Sequence, residues 1–183
     1  MMSDAFAGDN SKQTCITAPV VLAPFANERM REWPAENFTR FVSLGLEDGY
    51  DFVVNGTLAQ RALANEIVRA FPASRVENRC GLTSWTEAHQ QILAAPFVVA
   101  NNSGIAHVAA TAGKWLLCVF SGSHSWVEWM PRGPRVLTLT NMPVCSPCIS
   151  PTCFNDLACL SAITPELAYA SIRHAMSSDL ANR

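Results

Sequence analysis

The chain has 183 residues, 49% of them hydrophobic and 15% charged, the balance of a folded globule with a sizeable core rather than of a disordered segment. Thirteen basic residues nearly cancel 15 acidic ones, for a formal net charge of -2, so no broad field draws in nucleic acid or an anionic membrane, although a local basic site can still hold one phosphate group. No run is long and apolar enough to span a bilayer, and the polar, acidic start from Met1 to Gln13 lacks the order of a signal peptide. A flexible lead-in over residues 1–17, a cytoplasmic location and reduced cysteines are therefore expected.

Strand and helix patterns alternate along the rest. Residues 19–25 form a short apolar run, read as a buried strand. Residues 34–47 carry Phe38, Phe41, Val42 and Leu46 at helical spacing, with Pro34 suited to the first turn and Asp48-Gly49 closing the helix. A second strand over 50–54 ends at Asn55-Gly56. A second helix over 58–71 puts Leu63, Ile67 and Phe71 on one face, and 74–77 makes a brief third strand. Ser84 with Glu87 three residues on reads as a capping box. The helix it opens has Trp85, Ala88 and Ile92 on one face and ends near Ala95. Further strands fall at 96–100, 114–120 and 135–140, with a short Ala-rich helix at 103–112 and a last helix from Thr164, its inner face made by Ala168, Ile172, Ala175 and Met176.

Apolar strands alternating with amphipathic helices imply a parallel sheet covered on both faces, an α/β, Rossmann-like, doubly wound domain. One domain over 18–178 is expected, with a cysteine-rich loop at 145–159. Ligands in such sheets bind outside the carboxyl ends of the strands, and two turns there hold chemistry.

In Asn101-Asn102-Ser103-Gly104-Ile105-Ala106-His107 a strand meets a helix. Gly104 removes a side chain where a ligand would approach, and the free N–H groups of the helix start attract an anion. Asn102 and Ser103 can cap the helix or donate to sugar hydroxyls. His107 lies four residues after Ser103, on the same face, with its Cβ tilted back toward the turn. The plainer alternative is an ordinary N-cap with a packed histidine. The second turn, residues 26–34, sets Arg29 and Arg31 before a helix, and arginine suits bidentate phosphate contact. Its alternative is a solvated charged loop with Trp33 packed as a lid.

Taken in order, Arg31-Glu32-Trp33-Pro34, Asn55-Gly56, Gly81-Leu82-Thr83-Ser84, the run from Asn102 to Ala110, Phe120-Ser121-Gly122 and Cys145-Ser146-Pro147-Cys148 resemble the C-terminal, donor-binding domain of glycosyltransferase family 9, the lipopolysaccharide and autotransporter heptosyltransferases. Each motif is modest; their order and spacing from Pro19 to Met176 are what is specific. The resemblance implies the C-terminal half of a GT-B enzyme that binds a nucleotide-diphosphate sugar, ADP-heptose first, for transfer to a lipopolysaccharide-core or protein acceptor. It implies that Arg31, at the position of a family lysine, neutralises the donor phosphates. Ser103, Gly104 and Ile105 then contact the diphosphate or sugar, His107 serves the same site, and Thr83 lies near the nucleoside. Asn102 departs from the family aspartate and can accept no proton.

GT-B enzymes bind the acceptor in a separate N-terminal domain, which in this family also supplies the general base. The sequence before Pro19 is too short to build that half. A separate acceptor-binding domain or chain is thus an expected partner, the alternative being a non-catalytic nucleotide-sugar-binding remnant. Transfer itself is expected to need no cofactor, and peripheral contact with the inner membrane stays open.

The cysteines run Cys145-x2-Cys148-x4-Cys153-x5-Cys159. Four thiolates so close can build a structural zinc or iron site, and the autotransporter branch of the resembling family is known for iron held by such cysteines. The alternative is a reduced loop whose thiols only pack, or disulfides formed on oxidation. His124, Trp126 and Trp129 form an aromatic loop that either packs or touches an acceptor. His89 and His174 read as surface or packing residues.

Overall fold

The computed structural model describes residues 18–148, 150 and 152–181. The expected lead-in over 1–17, Cys15 and Pro151 of the cysteine loop lie outside the described residues. Among those described, six strands, β1 (Val20–Ala23), β2 (Phe52–Val54), β3 (Val76–Asn78), β4 (Val98–Asn101), β5 (Leu116–Phe120) and β6 (Val136–Thr140), alternate with seven helices. These are α1 (Ala35–Glu47), α2 (Arg61–Val68), α3 (Trp85–Ala94), α4 (Gly104–Thr111), α5 (Trp126–Trp129), α6 (Ala158–Ser161) and α7 (Pro165–Ala181). Every strand and long helix expected from the apolar pattern is present. The short α5 and α6 were not expected, since four residues carry too little periodicity to register.

All pairings are parallel, in the order β3-β2-β1-β4-β5-β6. This is the doubly wound arrangement: the chain builds outward from β1 in one direction, then returns to β4 and builds in the other. The carboxyl ends of β1 and β4, paired through Leu22↔Val99 and Ala23↔Ala100, flank the crevice where the strand order reverses. Strands buried on both faces explain the unbroken apolar runs. Val20, Leu22, Phe52 and Val54 face a core shared with α1, α2 and α7. Val21, Val53, Val98 and Ala100 face a smaller core with α3 and α4.

Three details differ from the sequence-based expectation. Pro34 is the cap before α1 rather than part of its first turn, with an extended ψ of 140°, and its carbonyl accepts from the amides of Asn37 and Phe38. The second helix begins as a 3-10 turn over Leu58–Gln60 before α2 proper. Trp85, expected on the inner face of its helix with Ala88 and Ile92, is 72% exposed while those two are buried. The capping box that starts this helix is present: the Glu87 amide donates to Ser84 Oγ at 3.2 Å and the Ser84 amide to Glu87 Oε2 at 2.8 Å. The Ser84 amide, with its hydroxyl donating to the same oxygen at 2.7 Å, holds the Glu87 carboxyl below its usual range. Trp33 is a core residue, neither lid nor solvated loop. It is 2% exposed, its ring edge-on to Phe38 at 5.1 Å, and its Nε1–H donates to the Ile163 carbonyl at 2.9 Å.

Two of the scattered thiols are fully buried. Burial pushes Cys118 up to about 12 and Cys80 to about 11, so neither offers a thiolate near neutral pH. A maleimide reagent at about pH 8 is expected to modify the exposed Cys145 while leaving Cys80 and Cys118 untouched until the chain unfolds. Peptide mass spectrometry before and after denaturation checks this.

Candidate functional site

A cleft of about 580 Å³ opens at the carboxyl edge of the sheet, within the usual range for small-molecule sites. Arg31 lines it from the loop after β1, Thr83 from the loop before α3, and Asn102, Ser103, Gly104, Ile105 and His107 from the turn into α4. All seven donor-site residues expected from the sequence therefore converge on one space. Arg29, two residues from Arg31, does not: it lines a second cavity of about 550 Å³ on the other side of that loop, beside Trp33 and Glu66. A 3-10 turn over Arg29–Arg31, at three residues per turn, sends neighbours two apart in different directions.

One side chain joins the two halves of the site. Asn101 ends β4 and is 0% exposed. Its Oδ1 accepts from the Trp33 amide at 3.0 Å, and its Nδ2 donates to the Pro24 carbonyl. Pro24 and Trp33 bracket the loop that carries Arg31, so a single amide clamps both ends of that loop to the strand leading into Asn102 and Ser103. The Ala26 amide donating to Glu32 Oε1 at 3.1 Å closes the loop further.

The turn into α4 does not behave as an ordinary cap. Ser103 holds the N-cap position with extended backbone, φ -146° and ψ 170°, yet its side chain makes no capping bond. Ser103 Oγ is buried without a hydrogen-bond partner, and so is Arg31 Nε. Buried polar atoms nearly always find partners; Arg79 Nε and Thr140 Oγ1 are orphaned too, but only the Arg31 and Ser103 atoms belong to residues that line the cleft. Arg31 also makes a 3.7 Å ion pair with Glu28 through its terminal nitrogen, which leaves Nε turned elsewhere. A Cβ at Gly104 would meet no atom within 4 Å; protein packing does not demand glycine there. Gly81 is different: at φ +73° its Cβ would lie 2.7 Å from the Leu58 backbone, so only glycine brings the chain past the 3-10 turn to Thr83. Thr83 Oγ1 lies 3.4 Å from Asn55 Oδ1, and Asn55 Nδ2 donates to Gln91 at 2.7 Å, a half-buried network centred on the buried Asn55 at that end of the cleft. Asn102 is 4% exposed, and His107 presents an exposed ring on the first turn of α4.

Asn27, Asn55, Trp85 and Trp129 also line the cleft and were not among the expected site residues. Asn55 had a signal, its place at a strand end. Trp129 had one in the aromatic loop. That loop is not packed: Trp126 and Trp129 are 42% and 55% exposed. The His124 ring stands edge-on to Trp129 at 6.4 Å, with Nδ1 2.9 Å from Ser123 Oγ.

The cysteine loop lies away from this cleft. Cys145, Cys148, Cys153 and Cys159 share a cavity of only about 20 Å³, beside the Gly122 carbonyl, which accepts from Ser146 Oγ and the Cys148 amide. The Asn155 and Leu157 amides donate to Cys153 Sγ at 3.4 and 3.2 Å, and burial raises the Cys159 thiol. The donor set suits zinc or iron, but the geometry does not close: among the described residues no three Cys, His, Asp or Glu side chains group closely enough to hold a metal.

A doubly wound sheet with a cleft at its switch point defines a Rossmann-like α/β domain. The chain belongs to glycosyltransferase family 9 (heptosyltransferase), whose family model matches residues 4–158. It is 27% identical over 96 residues to lipopolysaccharide heptosyltransferase 2 of Escherichia coli strain K12, a match covering 51% of this chain and 28% of that protein. In fold it is similar to E. coli ADP-heptose LPS heptosyltransferase II, with a TM-score of 0.75 at 20% identity, covering 88% of this chain and 47% of the other. It is also similar to the iron-containing dodecameric glycosyltransferase TibC from enterotoxigenic E. coli H10407, with a TM-score of 0.67 at 15% identity over 94% of this chain and 48% of that one. The chain thus spans about half the length of the solved structures it matches. Among the described residues no helix is long and apolar enough to cross a membrane.

Proposed function

We propose that this domain binds the nucleotide-diphosphate sugar of a glycosyl transfer carried out in the cytoplasm, with ADP-heptose the first candidate donor and a lipopolysaccharide-core or protein hydroxyl the acceptor. The observation that carries the reading is the convergence of Arg31 and the turn into α4, from Asn102 to His107, on one cleft, with Arg31 Nε and Ser103 Oγ both left without a partner. The α4 N-terminus adds unpaired backbone N–H groups and the positive end of its dipole. Family membership and the ADP-heptose named for the E. coli relative support the choice of donor.

In this reading the sugar's anomeric bond to the diphosphate breaks as the acceptor oxygen attacks. Negative charge develops on the leaving nucleoside diphosphate. Arg31 and the α4 amides stabilise it in place, without reorganising as the charge appears. His107 donates to a phosphate or sugar oxygen. The acceptor's proton goes to a base on a separate acceptor-binding domain or chain, since no group in this cleft is assigned that part. Metal at the cysteine loop has no part in the proposed transfer.

Calorimetric titration with ADP-heptose, ADP and UDP-sugars tests it. Arg31→Ala is expected to weaken nucleotide binding roughly tenfold to a hundredfold, the loss of one charge-assisted contact. Folded wild-type protein that binds none of these ligands would falsify the reading. One observation favours a second reading, a binder that does not catalyse: Asn102, buried where the family has an aspartate, cannot take up a proton. Turnover after adding a separate acceptor domain excludes that alternative.

A further inference from the structure

We propose that Trp85 is the stacking platform for the nucleobase of the bound nucleotide, a role that rests on reading the cleft as a nucleotide site. The ring is 72% exposed and enters no aromatic pair or hydrogen bond among the described residues. An indole left in water forfeits the stabilisation its burial would give, so the fold by itself gives no reason for tryptophan here. Position supplies one. Trp85 is the first residue of α3, and side chains there lean back past the helix start, over the carboxyl edge of the sheet and into the rim of the cleft. The capping box of Ser84 and Glu87 fixes the backbone beneath it.

The separation matches a nucleotide. Thr83 leans on Asn55 at the end of β2, and β2 lies two strands from β4, whose carboxyl end leads into Ser103. Two strand spacings are about 10 Å. Pyrophosphate held by Arg31 and the α4 turn does not reach Trp85 across that gap; the ribose and base of a nucleoside diphosphate do. Ala88 and Thr57, both small, also line the cleft and leave room for a planar ring. Because every base has a π-face, a lone platform confers affinity with little base selectivity, so both purine and pyrimidine nucleotides depend on it.

The test is titration of ADP, UDP and inorganic pyrophosphate into the full chain carrying Trp85→Ala, Trp85→Phe or Arg31→Ala. Trp85→Ala is expected to weaken ADP and UDP at least about fivefold and to leave pyrophosphate unchanged, with Trp85→Phe restoring most of the loss; Arg31→Ala weakens all three. Nucleotide affinities unchanged by Trp85→Ala, alongside a clear Arg31→Ala effect, overturn the platform and leave the cleft reading standing. Equal weakening of pyrophosphate by Trp85→Ala overturns it too, as a general disturbance of the cleft. Failure of the folded wild type to bind either nucleotides or pyrophosphate defeats the underlying reading instead.

Discussion

Trp33→Ala is expected to cost about 3–5 kcal/mol of folding stability, the range for deleting a fully buried large aromatic. The ring is 2% exposed and packs edge-on against Phe38 and Phe41, with centroids at 5.1 and 6.4 Å. Removing it opens a cavity between α1 and the segment before α7, and it strips the Ile163 carbonyl of its only indole donor. Against a total of about 5–15 kcal/mol for a domain, that is a large fraction. Urea unfolding followed by circular dichroism measures it; the midpoint should fall with little change in slope. A loss below about 2 kcal/mol would mean the core around α1 closes over the gap far better than buried tryptophan sites ordinarily allow.

Asn101→Leu is expected to cost about 2–6 kcal/mol, because it orphans a buried N–H and a buried C=O together, at about 1–3 kcal/mol each. Leucine matches the volume but answers neither the Trp33 amide nor the Pro24 carbonyl. The consequence extends to the cleft. With both ends of its loop released, Arg31 is no longer held opposite Ser103, and nucleotide affinity should fall even in the fraction that remains folded. Hydrogen exchange at the Trp33 amide reports the clamp directly: protection lost in the variant but kept elsewhere in the sheet identifies local release, whereas unchanged protection rules the clamp out.

These two residues also show what local pattern conveys. Phe38, Phe41 and Val42 announced a helix face because burial against a sheet recurs every three to four residues, and the structure buries all three. Trp85 obeyed the same spacing and is exposed. It stands at the very start of α3, beyond the edge of the strands, and periodicity records direction around a helix axis, not whether anything lies beneath a given turn. Asn101 was visible only as part of a polar turn; its partner Trp33 is 68 residues away, and no short-range signal links them. The cysteine spacing suggested a metal site; the described cysteines do line one small cavity, but spacing along a chain does not fix how closely thiols converge, and among the described residues no group of three is placed to hold a metal.

By itself the sequence determined the elements, the parallel α/β class and the chemical types at the strand ends, because apolar period, caps and turn residues act over a few neighbours. Only the tertiary structure decided that β1 lies beside β4, that Arg31 and Ser103 therefore face one cleft while Arg29 faces another, and that an indole is left at the rim. Strand order is set by long-range pairing and by how helices cover each face, and that information is spread over the whole chain rather than written at any single motif.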